Sequence, residues 1–164
     1  MAGYSGPIEK QTLANDYFRQ VLFTGKYAQL VVMSLQPGDE IGNEVHPKVD
    51  QFFRIEQGQA TFVFEGKEKH TAKDGDAIIV PAGTYHNVIN ASKTAKLKLY
   101  TIYSPPNHPD KTVHKTKADA EKAERDEWHA EMPRQPVAQA RRSSSMTCRL
   151  ATEAAHKLIA VPFA

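Results

Sequence analysis

A chain of 164 residues with 40% apolar and 24% charged side chains has material for one buried core plus appendages. Its 21 basic and 19 acidic residues leave a formal charge of +2, too small an excess to argue for nucleic acid or an anionic membrane as partner. The single cysteine, Cys148, excludes an intrachain disulfide framework and a multi-thiolate zinc site, and it has no nucleophile context.

Taken in chain order, residues 1–23 read as an N-terminal arm holding a short helix or strand. Met1 to Lys10 has no apolar core of the secretory kind. Apolar runs such as Ala77–Val80 are far too short to span a bilayer. With one cysteine, this fits a reducing compartment, and the expected location is cytoplasmic.

Residues 24–106 read as a β-barrel. From Val21 to Tyr103 short apolar runs alternate with turn residues. Leu30–Leu35 ends at Pro37-Gly38-Asp39. Phe52–Ile55 and Ala60–Phe64 flank Gln57-Gly58-Gln59, which reads as a hairpin turn. Gly66 and Lys73-Asp74-Gly75-Asp76 mark further turns. Ala77–Val80 follows, then Pro81-Ala82-Gly83, then Lys96–Tyr103. This spacing predicts an antiparallel sandwich or barrel, and closure would remove exposed strand edges.

Residues 107–131 read as a helical extension. Thr116, with Asp119 three positions on, is a variant helix-start signal, and the helix is expected to lie on the barrel through Trp128. Residues 132–164, with Pro133, Pro136, Arg141-Arg142 and Ser143–Ser145, read as a flexible tail. Met146, Leu150, Ala154 and Leu158 fall at helical spacing there, which allows a short terminal or docking helix.

Two segments carry chemistry. Glu44 and His46 are two apart, so on a strand they share a face, and an imidazole beside a carboxylate can grip a divalent cation. Gln51, Phe53 and Ile55 share a parity; if they face the interior, Gln51 sits at the mouth. Pro81 and Gly83 allow a sharp turn that lets His86 face the same cavity. Asp50 is a rival ligand of the opposite parity, expected to face solvent or cap the loop.

The two segments resemble the two cupin motifs. Gly75, Pro81, Gly83, His86 and Asn90 match G-x5-P-x-G-x2-H-x3-N at every fixed position. Gly38, His46 and Gly58 match G-x5-H-x-H-x3,4-E-x6-G, with Glu44 where the first His belongs and Gln51 where the Glu belongs. The resemblance covers residues 24 to 106. It points to small bacterial single-domain (type-2) cupins, of the kind often labelled mannose-6-phosphate-isomerase-like. It implies an all-β double-stranded β-helix, or jelly-roll, barrel and a homodimer. Carried over by position, the metal ligands become Glu44, His46, Gln51 and His86, holding one divalent ion (Mn, Fe, Zn or Ni). Two imidazoles and one carboxylate suffice for a facial triad with open positions.

Phe53, Phe62, Phe64, Tyr100, Ile102 and Tyr103 are candidates to line the cavity, with barrel core as the alternative. Arg54 reads as surface or dimer contact, and Tyr85 as loop packing or a substrate-positioning group. His70, His108, His114, His129 and His156 read as ordinary surface histidines, and Lys111, Lys115 and Lys117 as a solvated run.

Three functions fit these residues. A Lewis-acid isomerase, epimerase or lyase would act on a sugar or hydroxy-carbonyl compound. There the catalytic base is unknown, and Glu44 is a candidate only if it is free of the metal. A non-catalytic binding module for a small ligand and a non-haem iron dioxygenase are the alternatives. The fold alone does not choose among them.

Overall fold

Alternation along the strands survives in the burial of the folded chain. Strand β3, Asp50–Gln57, buries Gln51, Phe53 and Ile55 and leaves Phe52, Arg54 and Glu56 partly covered. The computed structural model that shows this describes residues 3–131, the side chains of 127–131 excepted.

Ahead of β3 come helix α1 (Ile8–Ala14) and strands β1 (Arg19–Thr24) and β2 (Gln29–Leu35). After it come β4 (Gln59–Phe64), β5 (Glu68–Lys73), β6 (Ala77–Val80), β7 (His86–Asn90), β8 (Leu97–Ser104), β9 (Val113–His114) and helix α2 (Lys117–Glu131). All pairings are antiparallel. One sheet runs β6-β3-β8-β2-β1-β9 and the other β5-β4-β7. Together they form the jelly-roll expected from the sequence.

The core lies between the sheets. Val31, Met33, Leu35, Phe53, Ile55, Leu97 and Leu99 come from the larger sheet, and Ala60, Phe62, Ala72 and Val88 from the smaller. The rings of Phe53 and Phe62 meet edge to face across the gap, with centroids 5.1 Å apart.

The outer face of the larger sheet is covered too. Helix α1 packs on β2, β3 and β8. The end of α1 and the residues after it receive Lys98, whose Nζ donates to the carbonyls of Leu13 and Asn15 and to Asp16. Lys98 is therefore buried yet satisfied. Helix α2 starts where the sequence signal placed it: Thr116 N–H donates to Asp119 Oδ2 (2.9 Å) and Asp119 N–H to Thr116 Oγ1 (3.2 Å), a reciprocal cap.

Several expectations are corrected. Gln57-Gly58-Gln59 is not a hairpin turn, because β3 and β4 belong to different sheets. Gly58 instead turns a corner at φ +92°, where a Cβ would stand 3.0 Å from the Lys96 carbonyl oxygen. A boundary at residue 24 cuts off β1, which pairs along β2 from Arg19 onward, so the sheet begins inside the supposed arm. Strand β9 likewise adds to that sheet from beyond residue 106. Strand β5 went unread because its sequence is polar: five of its six residues are exposed, and only Ala72 turns inward. Such a charged edge strand discourages pairing with another chain. The side chains of Trp128 and His129, and the readings for 132–164, including Cys148 and His156, lie outside what the structure describes. Among those residues no helix is long and apolar enough to cross a membrane.

Candidate metal centre

The site is assembled along the free edge of β7. The chain from Glu40 to Glu44 runs beside that strand and touches it at two isolated bridges, Glu40 to Ile89 and Glu44 to His86. At the second bridge both backbone hydrogen bonds form at 2.9 Å, from Glu44 N–H to the His86 carbonyl and from His86 N–H to the Glu44 carbonyl. Directly opposed residues in an antiparallel pair project to the same side, so the carboxylate meets the imidazole. Two residues on, the His46 carbonyl accepts from Gly83 N–H at 2.9 Å, tying His46 to the Pro81–Thr84 turn. Glu44 and His46 thus share a side as expected, but on a single bridge rather than a full strand.

The donor atoms of Glu44, His46 and His86 all lie within 4.8 Å of one another. Glu44 Oε2 is 3.5 Å from His46 Nε2, and its Oε1 is 4.0 Å from His86 Nε2. Donors each about 2.1 Å from one ion sit roughly 3–4 Å apart, so the spacing suits a shared cation. His86 Nδ1 lies 3.0 Å from the Thr84 carbonyl oxygen. A carbonyl only accepts, so Nδ1 carries the proton and Nε2 presents its lone pair to the cluster. Burial pushes the Glu44 carboxyl up, but His46, with Arg19 and His86, outweighs this and holds it below its usual value.

Gln51 is fully buried on β3, in register with Tyr103 of β8. Its Nε2 donates to Thr101 Oγ1 at 3.1 Å, which orients the amide and leaves Oε1 without a partner. Glu44 Oε1, His46 Nε2 and His86 Nε2 are likewise buried without a hydrogen-bond partner. Buried polar atoms normally find one. Three of these four belong to the Glu44, His46 and His86 cluster, whose spacing and donor chemistry fit a metal ion.

Asp50 is no rival. It is exposed, and its Oδ1 accepts from Ala82 N–H at 2.8 Å, capping the turn that leads to His86. Asn90, the last motif residue, is structural: its amide donates to the carbonyls of Leu35, Gln36 and Ala95.

The wall divides by parity. Phe53 and Phe62 face inward, and Phe53 lies 6.2 Å from the His86 ring; Phe64 is in register with His86. Tyr100 and Ile102 do not line the cavity. On β8 the inward residues are Leu99, Thr101 and Tyr103, so Tyr100 and Ile102 face outward, in a surface groove with Tyr4, Ile8 and Leu30. Tyr85 is 41% exposed, and Arg54 faces Glu56 at 3.8 Å on the outside.

Two residues that spacing did not reveal, Arg19 and His108, join the site beside Tyr103, which was among the expected cavity residues. Tyr103 is buried, its ring 5.7 Å from His46 and 4.9 Å from His108. Burial, with the Glu44 charge beside it, raises its hydroxyl, which stays protonated. His108 is not an ordinary surface histidine: burial, helped by the nearby Arg19 charge, pulls its imidazole down to about 3, so it is neutral. Arg19 is 2% exposed, inward on β1 opposite Met33, with Nη1 3.3 Å from Glu124 Oε1 of α2. None sits in a motif; the sheet register places Arg19 and Tyr103, and the Gln29 amide holds the His108 backbone. His70, by contrast, is half-exposed and paired with Glu68.

Residues 31–103 match the protein family described as Cupin domain. The chain is 54% identical over 123 residues to the uncharacterised protein YrkC of Bacillus subtilis (strain 168), an alignment covering 71% of this chain and 65% of that one. It is 49% identical over 105 residues to the uncharacterised protein L612 of Acanthamoeba polyphaga mimivirus, covering 62% and 65%. The chain therefore spans about 65% of the length of these curated relatives. Among solved structures, BH2720 from Bacillus halodurans aligns with a TM-score of 0.71 at 43% identity, over 73% of this chain and 93% of that one.

Proposed function

The chain belongs to the cupin family, and on that premise we propose that it is a metal-dependent enzyme of the isomerase, epimerase or lyase type, acting on a small polar hydroxy-carbonyl molecule. The observation that carries this reading is the set of four buried, partnerless donor atoms on Glu44, His46, Gln51 and His86. These residues would hold one divalent ion, with Gln51 as the neutral and weakest ligand. When bound, the ion supplies a Lewis acid that polarises a carbonyl or hydroxyl oxygen at an open coordination position.

The chain's own residues supply the rest. Thr84 fixes the His86 tautomer, and Thr101 fixes the Gln51 amide. Tyr103 keeps its proton and can donate a hydrogen bond to a substrate oxygen, while neutral His108 beside it can accept one. Phe53 and Phe62 keep the floor apolar, which strengthens every polar contact above it. Glu44 faces both imidazoles, which argues for a ligand role rather than that of a free base. A homodimer belongs to this reading, supported by the edge position of β6, where Ile79 is 66% exposed.

Deuterium exchange at the carbon beside the carbonyl, followed by NMR on hydroxy-carbonyl compounds with manganese-, zinc- or nickel-loaded protein, tests the proposal. Metal-dependent exchange supports it. Binding without exchange favours a binding module, and oxygen uptake with ferrous iron favours a dioxygenase.

A further inference from the structure

Arg19 is a charge that the metal reading does not use. Its guanidinium is 2% exposed, and a buried cation is costly unless its donors are met. Among the described residues it has one ionic partner, Glu124, on a helix at the surface and itself 60% exposed. That pair engages Nη1 alone. Nε is buried with no hydrogen-bond partner. Nε belongs to the edge that grips a planar carboxylate with two parallel hydrogen bonds, and its donor there is unmet.

Arg19 also faces the right way. It stands on the inward parity of β1, opposite Met33 of the core, with His114 of β9 across from it. Glu44, Tyr103 and His108 all feel its charge, which puts it within electrostatic reach of the donor cluster. Tyr103 is in ring contact with both His46 and His108.

We propose that Arg19 anchors a carboxylate subsite beside the metal centre, and that the molecule it takes is a small 2-hydroxy or 2-oxo acid. The acid's carboxylate takes the unmet Nε donor of Arg19, and its neighbouring oxygen faces Glu44, His46 and His86. Glu124 serves as the counter-charge when no acid is bound and competes with it. The inference rests on the metal reading and names the substrate class within it.

Calorimetric titration of the full chain, loaded with manganese and checked for metal content first, decides it. The probes are lactate and lactamide, which differ in charge at one end only. Wild type is expected to bind lactate roughly 10- to 100-fold more tightly than lactamide, the range for a charge-assisted pair. Arg19→Gln should lose that preference while keeping its metal. Glu124→Gln, a surface change that the fold tolerates even if Arg19→Gln is unstable, should tighten lactate binding and leave lactamide binding unchanged. Equal binding of the two probes by metal-loaded wild type, no lactate binding at all, a preference that survives in Arg19→Gln, or no gain in Glu124→Gln overturns the inference while the metal reading stands. A chain that takes up no manganese overturns both.

Discussion

Glu44 and His86 exchange both of their backbone hydrogen bonds, each 2.9 Å long, as an isolated pair on the edge of β7. One residue comes from each signature segment, so this bridge is where the two segments become one site. The side chains need no further help to meet. The bridge sets their side, the Thr84 carbonyl sets the His86 proton, and the His46 carbonyl ties in the turn that precedes them.

Gln51 and Asp50 are adjacent in sequence and differ in fate. Asp50 caps a turn from the surface, whereas Gln51 presents a buried, partnerless oxygen. Gln51→Ala is expected to weaken metal affinity, and Asp50→Ala to leave it unchanged beyond a modest loss of stability. Competition against a chelating dye measures both. If Asp50→Ala empties the site while Gln51→Ala does not, the fourth ligand is misassigned.

Acid should release the ion, because ligation needs unprotonated imidazoles. Metal content measured after dialysis at falling pH checks this. Content that holds steady through strong acidification would speak against histidine ligation.

His108 gives a separate pH effect in the metal-free protein. Its folded value of about 3 lies below the ordinary 6.5. Protonation therefore favours the unfolded chain. The stability that neutral His108 contributes is fully present above about 6.5 and is lost as pH falls toward 3. Urea unfolding at pH 7 and pH 4 should show a larger fall for wild type than for His108→Gln. Equal falls would mean that His108 is not held neutral by burial.

Lys98 holds the end of α1 and the residues after it against β8 through two carbonyls and Asp16. Lys98→Met keeps the stem but leaves those carbonyls short of a donor, a loss of about 1–3 kcal/mol. Phe62→Ala opens a hole at the meeting of the sheets and should cost about 3–5 kcal/mol. Denaturant midpoints compare the two, with the core change expected to be the larger.

Much of this was legible in the residues, and the gaps have physical reasons. The parity of Gln51, Phe53 and Ile55 and the Thr116–Asp119 cap were readable because each depends on local spacing. Tyr100 and Ile102 were misplaced because α1 and the N-terminal segment cover the outer face of the larger sheet. With both faces apolar, alternation no longer tells inside from outside. Strand β5 hid because an edge strand needs only one buried residue, Ala72. Tyr103 was among the expected cavity residues, but Arg19 and His108 were not, and no spacing rule joins them to it. Their meeting depends on register across β1, β2 and β8 and on the Gln29 amide that holds the His108 backbone.

The central claim is that Glu44, His46, Gln51 and His86 hold one divalent ion. Elemental analysis of the purified full chain beside His86→Ala tests it most directly. The account expects close to one ion per chain in wild type and close to none in the variant. Equal metal in the two proteins, or none in wild type after incubation with manganese, iron, zinc and nickel, would contradict it.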